Sequence, residues 1–65
     1  MKTGRYKAYL YFFDKKGRYL YASFDGMTGN SALWKAVECQ QHEHPEEKGF
    51  VNIYEDFRYI RTVQV

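Results

Sequence analysis

Residues 5–24 alternate their side chains so regularly on both sides of a turn that they constrain the whole fold. They read RYKAYLYFFDKKGRYLYASF and hold most of the chain's Phe and Tyr residues. A period of two is typical of a β-strand, in which successive side chains point to opposite faces. Two such runs around Asp14-Lys15-Lys16-Gly17 predict one β-hairpin, with Gly17 in the left-handed conformation of a three-residue loop.

That loop pairs Asp14 with Arg18, and this register sets Phe12 opposite Leu20 and separates two apolar faces. The first face is suited to a core and contains Tyr6, Ala8, Leu10, Phe12, Leu20, Ala22 and Phe24. The second face is more aromatic and contains Tyr9, Tyr11, Phe13, Tyr19 and Tyr21. A single helix can cover only one of them, so the functional question is what covers the other.

The middle of the chain predicts that one helix. It should begin near Asn30 or Ser31, since either side chain can accept an orphan backbone N–H. It should stop by His44, because Pro45 cannot continue the pattern. The stripe that would face the core contains Ala32, Leu33, Ala36, Val37 and Gln40, with Cys39 at its edge.

Residues 50–54 and 58–65 predict two further strands, which completes the order ββαββ. A right-handed crossover through the helix places strand 3 beside strand 1. We therefore expect an α+β fold with a four-stranded antiparallel sheet in the order 2-1-3-4 and one helix on one face. One pairing of the last two strands adds Phe50, Tyr54, Tyr59 and Arg61 to the aromatic face.

Length and composition predict a single domain over residues 1–65, small enough that its stability should be only about 3 to 10 kcal/mol. The one cysteine, Cys39, cannot form an internal disulfide, and no run approaches the roughly 20 apolar residues of a membrane span. We therefore expect a cytoplasmic protein. The net charge of +2 is polarised, with basic residues at both ends and acidic residues between them.

The aromatic face is the strongest functional signal in the sequence. Tyr and Arg are favoured at protein interfaces, and a small chain without disulfides gains stability from a partner. We expect a non-enzymatic protein-interaction module that uses this face and also forms a homodimer. The predicted binding residues are Arg5, Lys7, Tyr9, Tyr11, Phe13, Tyr19, Tyr21, Trp34, Tyr54, Tyr59 and Arg61.

Two other interpretations of the same face stay open. Single-stranded nucleic acid could stack its bases on the aromatic rings while Lys and Arg follow the phosphates. Alternatively, the rings could stabilise the sheet by cross-strand packing and bind nothing. Trp34, on the side of the helix away from the core stripe, is either a core-edge residue or a second contact for a partner protein.

Two resemblances accompany these interpretations. Residues 48–54, KGFVNIY, are similar to a strand motif of RNA recognition motif domains, with Val51 and Asn52 at positions where that family has a small residue and a stacking aromatic. In size and element order, the chain resembles small phage proteins that inhibit host enzymes, such as inhibitors of RNA polymerase and of uracil-DNA glycosylase. This implies inhibition of a host protein, but the hairpin is basic where those inhibitors are acidic.

Cys39, His42 and His44 have side chains that can bind zinc. They straddle the predicted end of the helix and have no second ligand pair, so no metal and no cofactor is predicted. Cys39 and His42 could also form a nucleophile and its base, but no orienting group or oxyanion device can be named for them. We therefore expect no enzymatic activity.

Overall fold

The structure, a computed structural model, describes residues 5–65, so Lys2 of the basic N-terminal segment lies outside the described residues. The elements are β1 (Tyr6–Asp14), β2 (Gly17–Gly26), α1 (Gly29–Glu43), β3 (Gly49–Glu55) and β4 (Arg58–Gln64). The strands form one sheet in the order β2-β1-β3-β4, and every neighbouring pair is antiparallel. The predicted α+β fold and strand order are confirmed.

The core lies between the helix and one side of the sheet. Its buried side chains are Ala8, Leu10, Phe12, Ala32, Ala36, Val51 and Ile53. Helix α1 lies over β2, β1 and β3, and within residues 5–65 it does not reach β4. We call the covered side of the sheet the helix side and the opposite side the open face.

The helix begins two residues earlier than its sequence predicts. Thr28 is the N-cap, and its side-chain oxygen accepts a hydrogen bond from the backbone N–H of Ser31 at 3.0 Å. At the other end, the buried Gln40 side chain donates to the carbonyl oxygens of His44 at 3.2 Å and Glu47 at 2.9 Å. Gln40 thereby ties the end of the helix to the connection that leads into β3.

Strand β3 begins against β1 at a glycine. Gly49 is buried and lies opposite Phe12, where a Cβ atom would overlap the carbonyl oxygen of Tyr11. Only glycine permits this close backbone approach. The glycine of the KGF segment therefore has a packing role in this fold.

The β1–β2 hairpin contains one residue more in β2 than the pairing requires, and the structure places this residue inside the strand. Leu10 pairs with Ala22 as the sequence predicts, but the next pair is Tyr11 with Leu20. Tyr21 is the extra residue of a β-bulge. The turn is correspondingly shorter than predicted, because Asp14 pairs with Gly17 rather than with Arg18.

The bulge reverses the faces of the outer half of β2. Tyr19 pairs with the buried Phe12, and the Tyr21 ring packs on Phe12 with its centroid 5.0 Å away, so both tyrosines lie on the helix side. Leu20 moves to the open face and stays 51% exposed. The expectation that Tyr19 and Tyr21 belong to the open face, and Leu20 to the core, is wrong.

A second bulge occurs in β4, at Ile60. Tyr59 pairs with Tyr54 on the open face as expected, but the next pair is Arg61 with the core residue Ile53. Val63 then pairs with the buried Val51 and packs against the core. The expectation that Arg61 lies on the open face is therefore wrong, because the extra residue turns it to the helix side.

The β3–β4 turn is conformationally strained. Asp56 and Phe57 have φ angles of 51° and 68°, in the left-handed region that a two-residue hairpin turn of this kind requires. For an L-residue other than glycine this conformation costs roughly 1 to 2 kcal/mol. Phe57 is also 93% exposed, so its ring gains little from packing in the monomer.

We expect Phe57→Gly to raise the free energy of unfolding by about 1 kcal/mol, because glycine relieves the left-handed strain while no packing is lost. The matched control is Phe57→Ala, which removes the ring but keeps the Cβ, and should change stability by less than about 0.5 kcal/mol. Urea unfolding followed by circular dichroism measures both. Equal stability of the two variants would contradict strain at this position.

Candidate functional site

The open face is a continuous surface built from all four strands. Its side chains point away from the helix because they alternate with the core residues of β1 and β3 or pair with such alternating residues. The open face consists of Lys7, Tyr9, Tyr11, Phe13, Arg18, Leu20, Ser23, Asp25, Phe50, Asn52, Tyr54, Tyr59, Thr62 and Gln64.

Toward the β1–β2 turn, the open face carries a group that we call the hairpin-tip cluster: Tyr11, Phe13, Leu20 and Phe50. The Tyr11 and Phe50 rings stack with centroids 5.0 Å apart and planes 10° apart. The Phe13 ring lies 5.6 Å from that of Phe50 and is 53% exposed, and Leu20 lies directly opposite Tyr11. Arg18 lies opposite Phe13 at this end, and the cluster itself is apolar and partly open to solvent.

Toward the β3–β4 turn lies a second group, the turn-end cluster, formed by Tyr9, Tyr54 and Tyr59. Tyr54 contacts the Tyr9 ring edge-on at 5.4 Å and the Tyr59 ring at 5.8 Å. The Tyr59 hydroxyl shares a 2.6 Å hydrogen bond with Thr62 Oγ1, which donates to Asn52 Oδ1 at 2.6 Å. The Tyr59 hydroxyl thus has a partner on the open face, and the Tyr59 side chain is 53% exposed to solvent.

The cations predicted to border the open face are engaged in ion pairs. Lys7 Nζ lies 2.6 Å from Asp25 Oδ1, and this hydrogen bond and charge raise the pKa of Lys7. Arg5 lies 2.9 Å from Asp56 and 3.9 Å from Glu55, and the hydrogen bond that Arg5 donates to Asp56 raises the pKa of Arg5. Each cation thus has an acidic partner, and the charge at this border is nearly cancelled.

Tyr21 is a structural residue of the helix side. Its hydroxyl donates to Glu43 Oε1 at 2.5 Å, and its ring meets the His44 ring edge-on at 5.1 Å. The hydrogen bond to the Glu43 carboxylate, with a smaller effect of burial, raises the pKa of Tyr21 to about 12. Tyr21 thus joins β2 to the end of α1.

Trp34 lies on the outer surface of the helix and is 62% exposed, so it does not complete the core. The helix separates it from the open face, on the other side of the sheet. The predicted binding residues therefore divide into the open face, Trp34, and the helix-side residues Tyr19, Tyr21 and Arg61. Only those on the open face, with Arg5 at its border, form one surface.

Cys39, His42 and His44 do not form a site together. The His44 ring packs edge-on against Phe12 at 5.4 Å. Burial raises the pKa of the Cys39 thiol, so a smaller fraction of it is thiolate at neutral pH. Across residues 5–65, no group of three or more His, Cys, Asp and Glu side chains could hold a metal ion.

Leu20 and Thr62 are open-face residues that the sequence pattern places on the opposite side of the sheet. The local sequence does not indicate which face Leu20 occupies, because this depends on where β2 places its extra residue. The sequence does indicate that Phe57, in the exposed turn beside the turn-end cluster, is an unusual turn residue. A two-residue hairpin turn usually contains glycine, and this one contains Asp56 and Phe57.

Comparisons with protein-family models, with curated proteins and with solved structures found no match to this chain. A search of the described helices for a membrane span was also negative: none has the length and apolar character needed to cross a bilayer.

The Tyr21–Glu43 hydrogen bond predicts a specific loss of stability at high pH. Since folding raises the Tyr21 pKa from 10.0 to about 12, the contribution of the protonated phenol is complete below pH 10. It is lost as the pH rises through about 12. Urea unfolding midpoints between those pH values should fall more steeply for the wild type than for Tyr21→Phe.

The control variant Tyr9→Phe removes a hydroxyl from the open face instead and should follow the wild-type pH profile. Phenolate absorbance provides a second measurement, in which Tyr21→Phe should remove a tyrosine that titrates near pH 12. Parallel pH profiles for the wild type and Tyr21→Phe would contradict the assignment.

Proposed function

We propose that this protein is a non-enzymatic binding module that recognises a folded protein through its open face. The observation that carries this proposal is an aromatic surface that spans all four strands and has its charged residues only at its two ends. Interface cores are depleted in charged residues and enriched in aromatic ones, and the centre of the open face has this composition. The partner that fits it has a flat, apolar and uncharged patch of its own.

The ion pairs favour a protein partner over single-stranded nucleic acid. Nucleic-acid binding requires cations that neutralise phosphates. Lys7 and Arg5 lie against Asp25, Asp56 and Glu55, and Arg61 lies on the helix side. At this end of the face, a phosphate backbone would meet carboxylates beside both cations.

The ring geometry also favours a protein partner over single-stranded nucleic acid. Bases stack on aromatic rings whose faces are free. On the open face, Tyr11 and Phe50 stack on each other, and Tyr54 is bracketed edge-on by Tyr9 and Tyr59. The rings thus form a packed apolar layer, which suits contact with another packed layer.

Inhibition of a host enzyme is a narrower form of this proposal. Its support is the resemblance in size and element order to phage inhibitors. Among the described residues of the open face, Asp25 is the one acidic side chain and is paired with Lys7, so mimicry of a phosphate backbone is not its basis.

The proposal is tested by capture from an extract of the source cells on three immobilised proteins: the wild type, Leu20→Lys and Trp34→Lys. Leu20 and Trp34 have similar exposed fractions, 51% and 62%, and lie on opposite sides of the molecule. We expect the wild type and Trp34→Lys to retain the same protein, which can be a further copy of this chain. Leu20→Lys should lose it, because an unpaired charge would be buried in the contact. A partner lost only by Trp34→Lys would contradict the proposal.

A labelled single-stranded oligonucleotide distinguishes the alternative function. Titrated at about 50 and 200 mM salt, it should show no binding at micromolar protein concentrations. Micromolar binding that weakens steeply with salt and is lost in Leu20→Lys would instead assign the open face to nucleic acid.

A further inference from the structure

We propose that the partner of the open face is a second copy of the same chain, packed face to face with its strands running in the opposite direction. This inference rests on the proposed function and names its partner. Three features of the structure support it: the area of the face, its self-complementary chemistry and the position of its uncancelled charge.

The face is large enough for a specific dimer. Four strands at about 4.8 Å spacing give a width of roughly 19 Å, and seven to ten residues at about 3.3 Å each give a length of roughly 23 to 33 Å. One face thus covers about 500 Å², and two packed faces bury about 1,000 Å². That total reaches the lower limit for a specific interface.

The chemistry of the face suits contact with itself. A two-fold interface places the same patch on both partners, so any uncompensated charge near its centre would meet its own copy. Lys7 and Asp25 lie at one end of the open face and form an ion pair with each other, and Arg18 lies at the other end, opposite Phe13. The exposed side chains Phe13, Leu20 and Tyr59 would instead bury apolar surface against apolar surface.

The uncancelled charge determines the orientation. Lys15, Lys16 and Arg18 are exposed at the β1–β2 turn, which we call the basic tip, whereas the opposite end carries the ion pairs of Arg5 and Lys7. If the two sheets stacked in the same direction, both basic tips would meet at one end. Reversing one copy separates the tips by about the length of the sheet, which is several times the Debye length of about 8 Å.

In this arrangement the two-fold axis lies between the sheets and runs across the strands. Each strand then lies over its own counterpart in the other copy, with the direction reversed. The hairpin-tip cluster of one copy packs on the turn-end cluster of the other, and the layers lie about 10 Å apart, as packed sheets do.

Sedimentation equilibrium of the full chain tests the dimer. We expect the wild type and Trp34→Lys to be dimers at micromolar concentration, and Leu20→Lys to raise the dimer dissociation constant at least about tenfold. Circular dichroism verifies that Leu20→Lys is folded. A wild type that is monomeric at millimolar concentration overturns the proposal, as does a dimer that Trp34→Lys disrupts and Leu20→Lys does not.

A spin-label distance tests the orientation. In a Cys39→Ala background, Lys16→Cys places one label on the basic tip of each copy. The reversed arrangement predicts a label separation of about 30 Å or more, whereas stacking in the same direction predicts about 20 Å or less. The shorter distance overturns the proposed orientation.

Failure of this inference is distinguishable from failure of the proposed function. A monomeric wild type that still captures a foreign protein, with loss of capture in Leu20→Lys but not in Trp34→Lys, refutes the homodimer and supports recognition through the open face. A monomer whose capture does not depend on Leu20 refutes both.

Discussion

The structure depends on one geometric constraint: a single helix covers one side of a four-stranded sheet, and only incompletely. A 15-residue helix is roughly 22 Å long and about 10 to 12 Å wide, whereas the sheet is roughly 19 Å wide. The helix therefore seals β2, β1 and β3 on one side and leaves the other side to solvent. The open face compensates in part by packing its own rings, each cross-strand pair contributing about 0.2 to 1 kcal/mol.

The two β-bulges determine which side chains the open face contains. In β2, the bulge brings Tyr21 under the end of the helix, where it reaches Phe12, His44 and Glu43. In β4, the bulge at Ile60 brings Val63 onto the core and turns Arg61 away from the open face. Each bulge thus adds packing on the helix side, and the β4 bulge also removes a cation from the open face.

Local ion pairs then lower the net charge at one end of the open face. The basic N-terminal part of the sequence suggests a surface that would attract phosphate. Folding brings Asp25, Glu55 and Asp56 beside Lys7 and Arg5, from positions 18 to 51 residues away along the chain. The remaining positive charge of this region lies at the basic tip, where it would favour one direction of packing in the proposed dimer.

By itself, the sequence determined the element order, the strand order and most of the core, because periodicity and the Pro45 stop are local signals. It also determined the inner register of the hairpin, where Leu10 pairs with Ala22. Tertiary structure alone decided the sides of Tyr19, Leu20, Tyr21 and Arg61. The extra residue of β2 could be placed at Gly17 or at Tyr21 with equally good alternation, and contacts with the helix end favour Tyr21. A one-residue choice reverses every side chain beyond it, so the composition of the open face depends on packing that the local pattern does not contain.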